Sequence, residues 1–161
     1  MKIKKILSDI FHHFPDGGVK DKIRLYLYNR PGNQEFSITK DNMNWIAEYP
    51  DFKLTFSPES NPYHVLLSNY IFLHHVPEER IDLLVDAGAF IGTFSIHAIN
   101  KYPQIKRVLA LEPDPVNLAK LKKNISLNNL SAIEIQPIGL WSKKKTLVFF
   151  PNQELASSVY N

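Results

Sequence analysis

The chain holds 161 residues, 44% of them hydrophobic and 22% charged, which suits one domain with its own core and excludes a disordered or collagen-like polypeptide. The 19 basic and 16 acidic residues leave a net charge of +3, an excess too small and too scattered to argue for nucleic acid. Without cysteine there is no disulfide framework, thiolate zinc site or cysteine nucleophile, and a cytoplasmic location is expected.

In residues 1–14, Ile3, Ile6, Leu7, Ile10, Phe11 and Phe14 recur at the spacing of one helical stripe. Such a stripe is expected to pack on the rest of the protein or on a partner subunit. The lesser reading is a peripheral membrane contact, aided by Lys2, Lys4 and Lys5. Ser8 and Asp9 interrupt the apolar stretch and argue against a signal peptide. No run reaches the ~20 apolar residues that span a bilayer.

Pro15-Asp16-Gly17-Gly18 is a break. Beyond it Ile23, Leu25 and Leu27 alternate with Arg24, Tyr26 and Tyr28, which predicts a strand. Pro31-Gly32-Asn33 reads as a turn, Phe36 and Ile38 as a partner strand, and Phe52, Leu54 and Phe56 as another alternation. Residues 21–57 are thus expected to form a small, mostly antiparallel β section. After a loop framed by Pro58 and Pro62, residues 63–76 read as helix, and the section is expected to run to residue 80.

The pattern then changes. Residues 81–86 are a short apolar run, 92–100 suit a helix, 105–111 form a second apolar strand, 115–127 a helix and 132–138 a third strand. Asp114 followed by Pro115 predicts an N-cap with proline at the first helical position, and Asn128-Asn129 the stop. Thr146 to Phe150 reads as a further strand. The order βαβαβ predicts an α/β unit with a parallel sheet and right-handed crossovers.

The chemistry concentrates in Asp86-Ala87-Gly88-Ala89-Phe90-Ile91-Gly92, between the first strand and its helix. Glycines there allow a sharp turn and a ligand close to the backbone. Glu112 ends the second strand, where a carboxylate can accept from both hydroxyls of a ribose. A dinucleotide turn wants G-x-G-x-x-G; this one lacks the middle glycine and sets Asp86 where a pyrophosphate would be repelled. The ammonium and sulfonium of S-adenosylmethionine (SAM) would instead be attracted. SAM is therefore favoured over NAD, and a NAD-dependent oxidoreductase is disfavoured.

Three segments carry a resemblance: VDAGAFIGTFS (85–95), LEPDPVNLAKLKKNISLNNL (111–130) and IEIQPIGLWSKKKTLVFF (133–150). In order and spacing they resemble the FkbM family of class I SAM-dependent methyltransferases. The resemblance implies a Rossmann-like fold, preceded here by the small α+β section, and O-methylation of a sugar or other hydroxyl acceptor. It implies Asp86, Gly88 and Gly92 around the methionine part of SAM, Glu112 on the ribose, and Ile138 and Gly139 near the adenine; Ala89 and Pro113 lie in the same motifs. Phe90 stands where the family usually has Asn, and Gly139 where a small residue such as Ala is usual. Compared with that family, residues 81–161 are expected to be a C-terminally truncated methyltransferase domain holding the first three parallel strands in the order 3-2-1. Such a piece is expected to be inactive by itself and to self-associate along the edge of its first strand at Leu83, Leu84 and Val85. The rival reading is a non-catalytic relic that binds SAM weakly.

No catalytic base is identified and no metal is expected. Tyr102 and Lys106 have the spacing of a short-chain dehydrogenase pair but the wrong position in the chain. His64, His74 and His75 lack the spacing of a zinc helix. His97 is expected to be structural, and Lys143-Lys144-Lys145 a solvated turn.

Overall fold

The computed structural model of the chain describes residues 18–29, 36–41, 44–57, 79–143, 146, 149–150 and 158–159. The expected helices at 1–14 and 63–76, and the turn at Pro31-Gly32-Asn33, lie outside the described residues.

The first element corrects the sequence reading. Gly18–Tyr28 is a helix, α1, where the alternation at 23–28 suggested a strand. Six residues of alternation do not separate the two periods. Here the helix has Asp21 in its first turn, paired one turn on with Arg24 at 3.3 Å and also with Lys40. The presumed partner at Phe36–Ile38 pairs elsewhere. Strand β1 (Ser37–Lys40) runs antiparallel to β2 (Trp45–Glu48), a strand the sequence reading passed over, and β2 pairs with β3 (Lys53–Phe56). Trp45, Ala47, Leu54 and Phe56 fill the inner face of this sheet.

A second sheet is parallel. Strand β4 (Leu84–Ala87) leads into helix α2 (Thr93–Lys101), then β5 (Val108–Leu111), helix α3 (Pro115–Leu127) and β6 (Ile133–Gln136). The strands are bonded in the order β4-β5-β6, with Asp86 beside Ala110 and Leu111 beside Gln136. An isolated parallel bridge, Ile81 to Ile105, extends the β4–β5 pairing toward the first residues of the predicted strand. Asp114 caps α3 as the sequence suggested, accepting from Val116 N at 2.8 Å and Asn117 N at 3.3 Å. Asn128 is its C-cap, and Asn129 takes the left-handed conformation that ends the helix. Phe149–Phe150 (β7) pairs antiparallel with Ser158–Val159 (β8). Among the described residues β4 pairs with β5 alone, and Leu83 and Val85 are about half exposed.

The two sheets share one core. Trp45, Leu54 and Phe56 of the first belong to the same buried cluster as Ile91, Ile96, Val108 and Leu121 of the second. Asparagine side chains close the antiparallel sheet on both sides. Asn29, just past α1, pairs with the N–H and C=O of Ile38 at 2.8 and 2.7 Å. Asn128 does the same to Lys53, at 2.7 Å each way, and Asn124 to Thr55 at 2.8 and 3.0 Å. The outward backbone groups of Ile38 on one edge, and of Lys53 and Thr55 on the other, are thus satisfied by side-chain amides. Among the described residues no helix is long and apolar enough to cross a membrane.

Leu121 is fully buried on α3, within the cluster that joins both sheets. Leu121→Ala is expected to cost about 2–5 kcal/mol, read as a lower urea midpoint with an unchanged slope.

Candidate functional site

The strand β4 delivers Asp86 to the start of α2. Its carboxylate is buried and accepts from the Ser95 hydroxyl at 2.6 Å and from the Ser95 backbone N–H. Ser95 lies in the first turn of α2, so Asp86 satisfies helix donors that Gly92, the N-cap, has no side chain to meet. Burial pushes the Asp86 carboxyl above the ordinary carboxylate range, the two Ser95 bonds oppose this, and the nearby Glu112 charge adds to the rise.

Glu112 is set at the end of β5. One carboxylate oxygen accepts from Phe90 N at 2.7 Å and the other from Asp114 N at 2.9 Å. The side chain is buried and stitches the glycine turn to the loop that opens α3. Each oxygen keeps a lone pair beyond these bonds, so a carboxylate held this firmly can still accept from hydroxyls.

Between them the turn reverses with three left-handed residues: Gly88 at φ 92°, Phe90 at φ 54° and Gly92 at φ 87°. Gly88 and Ala89 both donate to the Leu111 carbonyl at 2.9 Å, which ties the turn to the end of β5. The two glycines act differently. A Cβ on Gly88 would meet nothing within 4 Å, so its backbone faces open space. A Cβ on Gly92 would lie 2.6 Å from Leu121 Cδ1, so α2 approaches α3 only because that atom is absent. Phe90 holds a conformation that an asparagine adopts more easily. Its N–H bond to Glu112 and its partly buried ring hold it there.

Asp86, Gly88, Ala89, Gly92, Glu112 and Pro113 are thus gathered at the carboxyl ends of β4 and β5. Ala89 is buried, Gly88 is exposed and Pro113 is half-buried. Gly139 joins them from beyond β6, where a Cβ would sit 3.5 Å from Pro113 Cγ. Ile138 beside it is 52% exposed. The sequence reading missed Ser95 and Asn124. Ser95 had a signal, its place in the first turn of a predicted helix. Asn124 had none: it donates to the Ile91 carbonyl at 2.9 Å inside the turn, from a helix position that looks like any polar residue.

The other candidates lie apart. His97 is buried edge-on to Tyr49 and Phe52, with ring centroids 4.7 and 4.6 Å away. With Asn100 and Lys101 these residues line a cavity of about 350 Å³ between the β2–β3 turn and α2. Among the described residues no three His, Asp or Glu side chains are grouped to hold a metal. His64, His74 and His75 are outside the described residues.

No family model matches the chain. It is 47% identical over 72 residues to "Methyltransferase sdnD" of Sordaria araneosa, a stretch covering 43% of this chain and 27% of that protein. It is 34% identical over 79 residues to "Methyltransferase 1" of Beauveria bassiana (strain ARSEF 2860), covering 48% of this chain and 31% of that one. The match therefore spans less than a third of either relative. A crystal structure of P. horikoshii TYW2 in complex with MeSAdo aligns with 65% of this chain and 42% of its own, at 18% identity. Its TM-score is 0.48, too low to establish a common fold.

Two outcomes follow from the turn. Gly92→Ala meets both Leu121 and a positive φ and is expected to cost about 2–4 kcal/mol. Gly88→Ala meets only the strain of its φ, about 1–2 kcal/mol; chemical denaturation of both variants checks the difference. For Asp86, a raised native value means that the folded state binds a proton more tightly than the unfolded one. Its contribution to stability is then fully present below the unfolded carboxylate value and is lost as pH rises through the folded one. Asp86→Asn is expected to remove that decline, visible as a flatter profile of melting temperature from pH 4 upward.

Proposed function

We propose that this chain carries the SAM-binding part of a methyltransferase of FkbM type that acts on a hydroxyl of a sugar or another small molecule. One observation carries the reading. Two buried carboxylates, Asp86 and Glu112, converge at the ends of adjacent parallel strands around an open, left-handed Gly88. A phosphate site has the opposite character, with donors and cations facing the ligand. The likeness to two methyltransferases over 72 and 79 residues supports the same reading.

The residues fit SAM on chemical grounds. Asp86 pays a desolvation cost as an anion, which a cationic ligand relieves by supplying a nearby opposite charge. The free lone pairs of Glu112 suit a pair of ribose hydroxyls, and Pro113, Ile138 and Gly139 offer an apolar margin for the adenine. When bound, SAM supplies an electrophilic methyl group on its sulfonium. The chain's own part is positional: Glu112 fixes the turn against β5, and the open backbone at Gly88 leaves room for close approach. Alignment of this kind is the main protein contribution to a displacement reaction.

Titration calorimetry with SAM and with NADH tests the reading. SAM is expected to bind and NADH is not. Glu112→Gln keeps one acceptor oxygen but sets an amide nitrogen against a backbone N–H, so it is expected to lower the melting temperature and to weaken SAM by about 1.5–3 kcal/mol, the scale of a charge-assisted hydrogen bond. Equal binding of both nucleotides, or an unchanged SAM affinity in Glu112→Gln, would contradict it. Transfer of labelled methyl groups to a panel of hydroxylated glycans and small molecules tests the acceptor.

A further inference from the structure

Asn124 is fully buried, and its amide has no spare capacity. Its oxygen accepts from Thr55 N and Thr55 Oγ1, both at 2.8 Å, and its nitrogen donates to the Thr55 carbonyl at 3.0 Å and the Ile91 carbonyl at 2.9 Å. Turning the amide over would set its oxygen against two carbonyls and its nitrogen against the Thr55 N–H, so a single orientation is enforced. Ile91 lies between the left-handed Phe90 and Gly92, and its side chain is buried in the shared core. The Ser95 N–H, four residues on and the usual donor to this carbonyl in a helix, is turned to Asp86 instead.

We propose that Asn124 is a positioning residue for the glycine turn, transmitting the placement of the antiparallel sheet to the Ile91 carbonyl. Strand β3 of the small first sheet then supports the cofactor site through Thr55, although none of its residues is in the turn. The proposal rests on the reading of that turn as the SAM site.

Asn128 supplies the internal control. It stands one helical turn further along α3 and clamps the same strand through Lys53, but its side-chain bonds go to Lys53 and the Asn124 carbonyl and do not reach the turn. A purely structural clamp predicts a loss of stability for both asparagines, larger for the fully buried Asn124, with no separate effect on the turn. Positioning predicts an effect on the turn from Asn124 alone.

The test compares Asn124→Ala and Asn128→Ala in the full chain by two readouts: SAM affinity, and hydrogen exchange of the backbone amides of residues 88–92. Asn124→Ala is expected to weaken SAM by about tenfold, one lost hydrogen bond's worth, and to speed exchange at 88–92. Asn128→Ala is expected to lower thermal stability while leaving both readouts within about twofold of wild type. Thr55→Val loosens the Asn124 amide without reaching the turn. It is expected to speed the same amides by about threefold, and it keeps the test decisive should Asn124→Ala fail to fold. Equal effects of the two asparagine variants, or unchanged exchange at 88–92 in Asn124→Ala and Thr55→Val, would overturn the proposal. A wild-type chain that binds no SAM would remove the cofactor reading, and the exchange rates would still decide whether Asn124 positions the turn.

Discussion

Four hydrogen bonds converge on the amide of Asn124, and they join three parts of the molecule that are far apart in sequence. One is the edge of the antiparallel sheet at Thr55, one is helix α3, and one is the turn after β4. A buried amide left unsatisfied costs more than a made bond contributes, so these parts are compatible only in one arrangement. The match is geometric. Asn124 and Asn128 are one helical turn apart, about 6 Å of rise, and Thr55 and Lys53 are two strand residues apart, a similar span. A helix face thereby stands in for a fourth strand. Asn29 repeats the device on the opposite edge through Ile38.

The same constraint shapes the site. With the turn held from behind by Asn124 and from the front by Glu112, Phe90 keeps a left-handed backbone that its side chain disfavours. Glu112 spends one lone pair on each of two backbone donors and is thereby oriented before any ligand arrives. Asp86 is the complementary case. It is buried near a second carboxylate, and the hydrogen bonds from Ser95 oppose its desolvation. One acid is ordered by two backbone donors and the other carries a desolvation cost, so the two carboxylates differ by environment and not by residue type.

Much of the parallel unit was legible in the sequence, because its signals are local. Apolar runs ended in acids, Asp114-Pro115 marked a helix start, Asn128-Asn129 its stop, and Gly88 and Gly92 the reversal. The alternation at residues 23–28 misled, since six residues fit both periods and the free edge of β1 is taken by Asn29, not by a strand. Trp45–Glu48 went unnoticed between turns. The roles of Asn124 and Asn128 were beyond reach, because their partners at Thr55 and Lys53 lie 69 and 75 residues away. Gly92 was legible as a turn glycine, but its contact with Leu121 depends on how α2 crosses α3.

The proposed function requires a cationic nucleoside to be held between Asp86 and Glu112 at the open backbone of Gly88. The most direct measurement is the amide spectrum of the isotope-labelled chain, recorded with increasing SAM. Saturable shifts are expected at Gly88, Ala89, Phe90 and Gly92, at Glu112 and Asp114, and at Ile138 and Gly139, with the β1–β2 hairpin unmoved. Shifts confined to another face of the protein, or none at saturating SAM, would contradict the proposed function.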